Sequence, residues 1–199
     1  MRLSKALVVL LCTLPFAVFA QNFESPATDI TGLWTGTLFN DTTGQYSKYE
    51  VAISREKGKL VGFSHTYFNI GGKEYYGVKK LNVKKAPDGK VIIVDEELVL
   101  NNYPELPGKY MRQLNVLTLS NADSAAVLSG PFVTNRTKEF NALTGSVHLT
   151  KNNGAWQSAL WPHLQELGKE KAFSFIPASA PFMASSSANN DTRVDERKK

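Results

Sequence analysis

The sequence predicts a mainly β protein: a single antiparallel, up-and-down barrel of eight strands, followed by a short C-terminal helix. Three observations point there. From Gly32 to Thr150 the chain reads as strand, turn, strand, in eight segments at fairly even spacing. No segment of that stretch has helical periodicity, so neighbouring strands are joined as hairpins and run antiparallel. An open sheet of that size leaves two vulnerable edges, and closing it on itself removes them. A two-sheet sandwich fits the same pattern; the barrel is the expected outcome.

The first strand is 32–40, GLWTGTLFN, and the turn DTTGQ follows it. In 46–54, Tyr49, Val51 and Ile53 alternate with Glu50, Ala52 and Ser54, the period of two that marks a half-buried strand. The turn REKG leads to 59–67, where Val61, Phe63, His65 and Tyr67 share one face, and NIGGK turns the chain again. The alternation in 74–85 changes phase near Lys79 and Lys80, which predicts a bulge. In APDGK, Pro87 presets φ and Asp88-Gly89 supplies the left-handed positions of a turn. The strands 90–100, 110–120, 125–133 and 142–150 complete the set, with a loop of two prolines at 101–109. The barrel domain is expected to span 31–183.

After Lys151 the pattern changes. Trp156, Leu160 and Leu164 recur at helical spacing, and Pro162 is placed to begin a helix over 163–169. That segment is expected to cap one end of the barrel with Trp156 and Trp161, or to act as a lid. From Ala184 the chain lacks large apolar residues except Val194, so 184–199 is expected to be a disordered tail.

At the other end, Arg2 and Lys5 precede the apolar run from Ala6 to Leu14, and small Val18 and Ala20 precede polar QNFESP. This is the pattern of a secretory signal over 1–20, cleaved near Ala20, with 21–30 as linker. The expected location is secreted or periplasmic. The alternative is a lipoprotein anchored through Cys12, although Leu11 before it is not small. The apolar run is short for a membrane span, so no stable span is expected.

Cys12 is the single cysteine, so the exported chain offers neither a disulfide framework nor a thiol nucleophile. Asn40, Asn135 and Asn190 each open an Asn-x-Thr sequon, which matters only in a glycosylating host. The formal charge is +5 and falls to +3 when Arg2 and Lys5 leave with the signal. Lys73, Lys79, Lys80, Lys84, Lys85 and Lys90 gather around Tyr75 and Tyr76. They read as a solvated strand face, and so small a net charge argues against a nucleic-acid partner. There is no Gly-x-Ser-x-Gly elbow, phosphate loop or HExxH, and His65, His148 and His163 are scattered. No catalytic residue, cofactor or metal is expected. A lipid-facing barrel is disfavoured because Lys79, Lys80, Lys84 and Lys85 would have to avoid lipid.

Gly32-Leu33-Trp34 resembles the first strand of the calycin barrels, lipocalins and avidins, in which a Gly-x-Trp carries the Trp that closes one end. Ile30-Thr31-Gly32-Leu33-Trp34 is similar to the avidin opening, and Lys59-Leu60-Val61-Gly62-Phe63 to a later avidin strand. The resemblance covers about thirty residues. It implies a lipocalin-like topology, closure of one end by Gly32 and Trp34, and an internal cavity. Biotin is not implied, because Trp156 and Trp161 come after the last strand and none lies on the middle strands. Lipocalins also pack an Arg on the Trp; Arg112 and Arg136 are both open for that role.

Eight strands enclose either packed side chains or one small ligand. Tyr49, Val51, Phe63, His65 and Tyr67 are expected to point inward, with His65 as a polar fixture of an apolar pocket or a hydrogen-bonded core histidine. Alternation through Ile92, Val94, Leu98 and Leu100 places Glu96 on the same face, facing a ligand amine or a buried Arg or Lys. If Val91, Ile93 and Val99 face inward instead, Glu96 is solvated. The expected function is an exported, non-enzymatic barrel that binds a small, partly apolar ligand inside. The alternative is an envelope or protein-interaction module whose inward residues (Trp34, Leu38, Tyr49, Val51, Phe63, Tyr67, Ile92, Val94, Leu98) fill the barrel.

Overall fold

The computed structural model describes residues 29–105, 109, 111–122, 125–138 and 140–179. The expected signal peptide with Cys12, residues 21–28 of the linker and the expected tail with Asn190 lie outside the described residues. Eight antiparallel strands run β1 (Gly32–Asn40), β2 (Gln45–Glu56), β3 (Lys59–Ile70), β4 (Lys73–Lys85), β5 (Val91–Asn101), β6 (Gln113–Ala122), β7 (Ala125–Thr134) and β8 (Thr144–Asn152). Each pairs with the next, and β8 pairs back onto β1, so the sheet is a closed barrel in simple up-and-down order.

The turns follow from their residues. Lys57 and Gly58, between β2 and β3, both have positive φ (49° and 78°), as a two-residue hairpin whose twist matches the strands requires. The bulge expected near Lys79 and Lys80 is present: the β4–β5 register shifts between Val78 and Lys79 and again between Lys80 and Leu81. The β5–β6 seam is short, with Val91 to Val94 paired to Leu117 to Leu114.

Two buried clusters divide the apolar residues. The inner one fills the barrel with Trp34, Leu38, Tyr49, Val51, Ile53, Leu81, Val83, Val91, Ile93, Leu117, Leu128, Phe132, Val147 and Leu149. Large side chains occupy the room that inward glycines leave. A Cβ on Gly62 would meet Leu81 and Val83, and one on Gly145 would lie 2.5 Å from the Phe132 ring. This inner cluster is apolar, whereas the lumen of a barrel that faces lipid is polar. Among the described residues no helix is long and apolar enough to cross a membrane.

The second cluster lies outside the barrel. After β8 the chain makes a short 3-10 turn (Ala155–Gln157), helix α1 (Leu160–Glu166) and a second 3-10 turn (Glu170–Phe173). Leu160, Leu164, Phe173 and Ile176 from this segment pack with Leu33, Ala52, Phe63 and Val78 from the outer face of the wall. The expectation of a cap over one barrel end is therefore corrected: α1 lies along the side, over β1 to β4. Residues Tyr49 to Ser54 of β2 are buried on both faces, by the interior on one side and this segment on the other. The helix also begins earlier than the 163–169 expected from Pro162.

Candidate functional site

Cross-strand partners in an antiparallel pair share a face. Tyr49 and Val51 line the interior, as expected. Val51 pairs with Ser64 and Ile53 with Gly62, so β3 turns Gly62 and Ser64 inward. Phe63, His65 and Tyr67 consequently face outward, toward α1, against the expectation that they line a cavity. Along β5 it is Val91, Ile93 and Asp95 that are buried. Ile92 and Val94 are half-buried on the outer wall, and Glu96 is about half exposed, with its carboxylate 2.9 Å from Lys80 Nζ. Glu96 thus follows the solvated alternative.

Trp34 is fully buried at the end of the barrel where the chain enters, and its Nε1 donates to the Ile30 carbonyl at 2.9 Å. The cation over its ring is Lys151, 5.6 Å from the centroid, rather than Arg112 or Arg136. Lys151 Nζ also donates to the Asp29 carbonyl. Burial of Asp29 works to raise its carboxyl, but the Thr31 N–H and hydroxyl and the charges of Lys151 and Arg55 outweigh it and hold the group below its usual value.

The other half of the interior is polar. Lys79, read from sequence as part of a solvated face, points inward and forms an ion pair with Asp95 at 2.5 Å. The same Asp95 oxygen accepts the Gln113 N–H at 2.9 Å, while Lys79 also donates to the Met111 carbonyl at 3.2 Å. Gln113 donates to Asn115 Oδ1, and Asn115 to the Ile93 carbonyl. Beside them the Tyr49 and Ser64 hydroxyls are buried without hydrogen-bond partners among the described residues. Burial, and then the Asp95 charge, push the Tyr49 hydroxyl far above its ordinary value, against a smaller downward pull from the nearby Ser64 and Asn115 side chains. Phe68, Tyr75 and Tyr103 cluster at this mouth, with Phe68–Tyr103 centroids 5.3 Å apart. Burial and Asp95 push Tyr103 up to about 12.

A second group of chemical side chains lies under α1. Glu50, the cross-strand partner of His65, accepts hydrogen bonds from the Ser158 hydroxyl and from the N–H groups of Ala159 and Leu160. Ser158 Oγ in turn accepts from the Leu160 and Trp161 N–H groups. Glu50 and Ser158 together satisfy the first donors of α1, which a helix end leaves without internal partners. His65 packs at 5.0 Å from His163 of α1, 5.2 Å from Tyr76 and 4.3 Å from Tyr67, centroid to centroid. It is 1% exposed, and neither ring nitrogen has a partner among the described residues. Burial, and secondarily the charge of His163, lower it to about 4. Tyr67 is pushed up to about 12, first by burial and then by Glu50 and Glu74.

Sequence reasoning did not bring together Lys79 with Asp95, Glu50 with Ser158, or His65 with His163. A phase break at Lys79 was the only local signal for the first. The contact between Glu50 and Ser158 spans 108 residues of chain and leaves no local trace. Among the three histidines, His65 and His163 meet, while His148 stands exposed on β8. Trp156, expected in a cap, is 36% exposed.

Two hollows open on the outer surface. One of about 490 Å³ lies between Asp29, Thr31, Ser54, Arg55, Ala172 and Phe175. The other, about 320 Å³ and mainly apolar, runs over Leu114, Val116, Pro131 and Val133. Comparison with protein-family models, with curated proteins and with solved structures returns no match for this chain.

Proposed function

We propose that this is an exported, non-enzymatic module in which the barrel is a packed scaffold and the outer wall meets a protein partner. The observation that carries this reading is the inner cluster: buried apolar side chains fill the barrel from the Trp34 end toward the Lys79–Asp95 pair. The hollows beside Asp29 and over Leu114, like the α1 segment, lie on the outside.

A second reading keeps a small ligand in the interior. It is favoured by the unpartnered hydroxyls of Tyr49 and Ser64 beside Lys79, which a small polar molecule would satisfy. Native mass spectrometry of the full chain, exported and gently purified, decides between them. The scaffold reading expects the same mass before and after solvent extraction, and an unchanged Tm across a panel of lipids and metabolites. A reproducible extra mass lost on extraction overturns it in favour of the interior ligand.

A further inference from the structure

We infer that α1 and its flanking turns form a strap that acid releases: charging the buried imidazole of His65, which faces His163, unseats the helix from the barrel wall. The inference is independent of which molecule, if any, the barrel binds.

The strap is held by an apolar seat and a few hydrogen bonds. Leu160 and Leu164 sit on the outer face of the wall with Phe63 and Val78, Glu50 holds the first N–H groups of α1, and Ser54 donates to the Ala172 carbonyl. His65 lies in that interface, and neither ring nitrogen has a hydrogen-bond partner among the described residues. A neutral imidazole tolerates this position. An imidazolium carries two donors and a full charge, and burying it unpaired is expensive.

The groups around His65 offer no ready compensation. On β2, Glu50 already accepts three hydrogen bonds from the strap, and Lys48 lies over the Tyr67 ring with Nζ 5.7 Å from the centroid. On β3 and β4, Tyr67 and Tyr76 present rings, and Glu74 is an exposed residue near the start of β4. On α1, His163 faces His65 directly and has Glu166 at 3.5 Å. On the second 3-10 turn, one oxygen of Glu170 is buried without a partner among the described residues. A charged His65 finds a partner only by reaching water, and it reaches water when the helix leaves.

The direction follows from linkage. His65 is held down at about 4 when the strap is closed, whereas a free imidazole titrates near ~6.5. Between those values the open form binds a proton that the closed form refuses, so opening grows as pH falls and levels off once both forms are charged.

Hydrogen exchange of the full chain, corrected for the intrinsic pH dependence, tests this. Protection of α1 is expected to fall on the order of tenfold between about pH 7 and about pH 5, while the strands keep theirs. His65→Phe is expected to hold the strap closed over that range, and His163→Gln to reduce the loss. Glu50→Gln is expected to loosen α1 at every pH and to leave the acid response in place. Unchanged wild-type protection, simultaneous loss from strap and strands, or an acid response abolished by Glu50→Gln would each overturn the inference. Should His65→Phe fail to fold, His163→Gln decides alone: a loss equal to wild type overturns it.

Discussion

At the scale of the residue, the polar part of the interior holds the Lys79–Asp95 ion pair and the buried hydroxyls of Tyr49 and Ser64. Lys79 and Asp95 are close and largely out of water, so removing one strands the other. Lys79→Met is expected to cost about 3–5 kcal/mol in urea unfolding, and Lys79→Met with Asp95→Leu to recover most of it. A double variant as damaged as the single would show that the pair is not what its surroundings depend on. The Tyr49 hydroxyl lies beside Ser64 and Asn115 without a well-formed hydrogen bond, so Tyr49→Phe is expected to be near neutral, within about 1 kcal/mol. A larger loss would place a partner on the oxygen. Period-two alternation made Tyr49 and Val51 legible as one face, but alternation separates two faces without saying which is inside. On β3 the larger residues, Phe63, His65 and Tyr67, face out because α1 covers them. Gly62 and Ser64 face in, where Leu81 and Val83 use the room beside Gly62. The same ambiguity put Glu96 inward in place of Asp95.

At the scale of the element, strands and turns were legible and the helix was less so. The strand bounds follow from local alternation and from Gly, Asp and Asn in the turns, and both are written in neighbouring residues. Helix α1 begins at Leu160 because Ser158 and Glu50 receive its first N–H groups, and Glu50 is remote in sequence. A start signal supplied by a distant strand has no local signature. The β2–β3 hairpin carries a residual cost, since Lys57 adopts a left-handed conformation with φ 49°. Lys57→Asn, which gives the Asn-Gly pair that this turn favours, is expected to add about 0.5–1 kcal/mol. Thermal unfolding checks it, and an unchanged or lower Tm would mean that the Lys57 side chain itself steadies the turn.

At the scale of the molecule, two cores share one wall. The inner cluster is complete within β1 to β8 and Ile30, while the outer one needs the C-terminal segment. A chain ending after Asn153 is therefore expected to keep its barrel and to bare Leu33, Ala52, Phe63 and Val78. Near-native strand content by circular dichroism together with new binding of a hydrophobic dye would bear this out; a collapsed barrel would mean that the outer core is needed for the inner one. Sequence reached closure through the cost of unpaired edges, an argument about the whole sheet that no single strand contains. It did not reach the side-lying strap, because nothing in 155–179 says which surface it covers.

The pairing of β1 with β8 has one more consequence. Leu33 stands opposite Asn152, so the point where the chain enters the barrel and the point where it leaves are neighbours on one rim. The hydrogen-bonded ring of strands has no first member, and the order in which the ribosome delivers them is arbitrary with respect to the wall they build. A circular permutant that bridges that rim with a short linker and opens the chain in the exposed Asp88-Gly89 turn would present the same ring, with its ends moved to another hairpin.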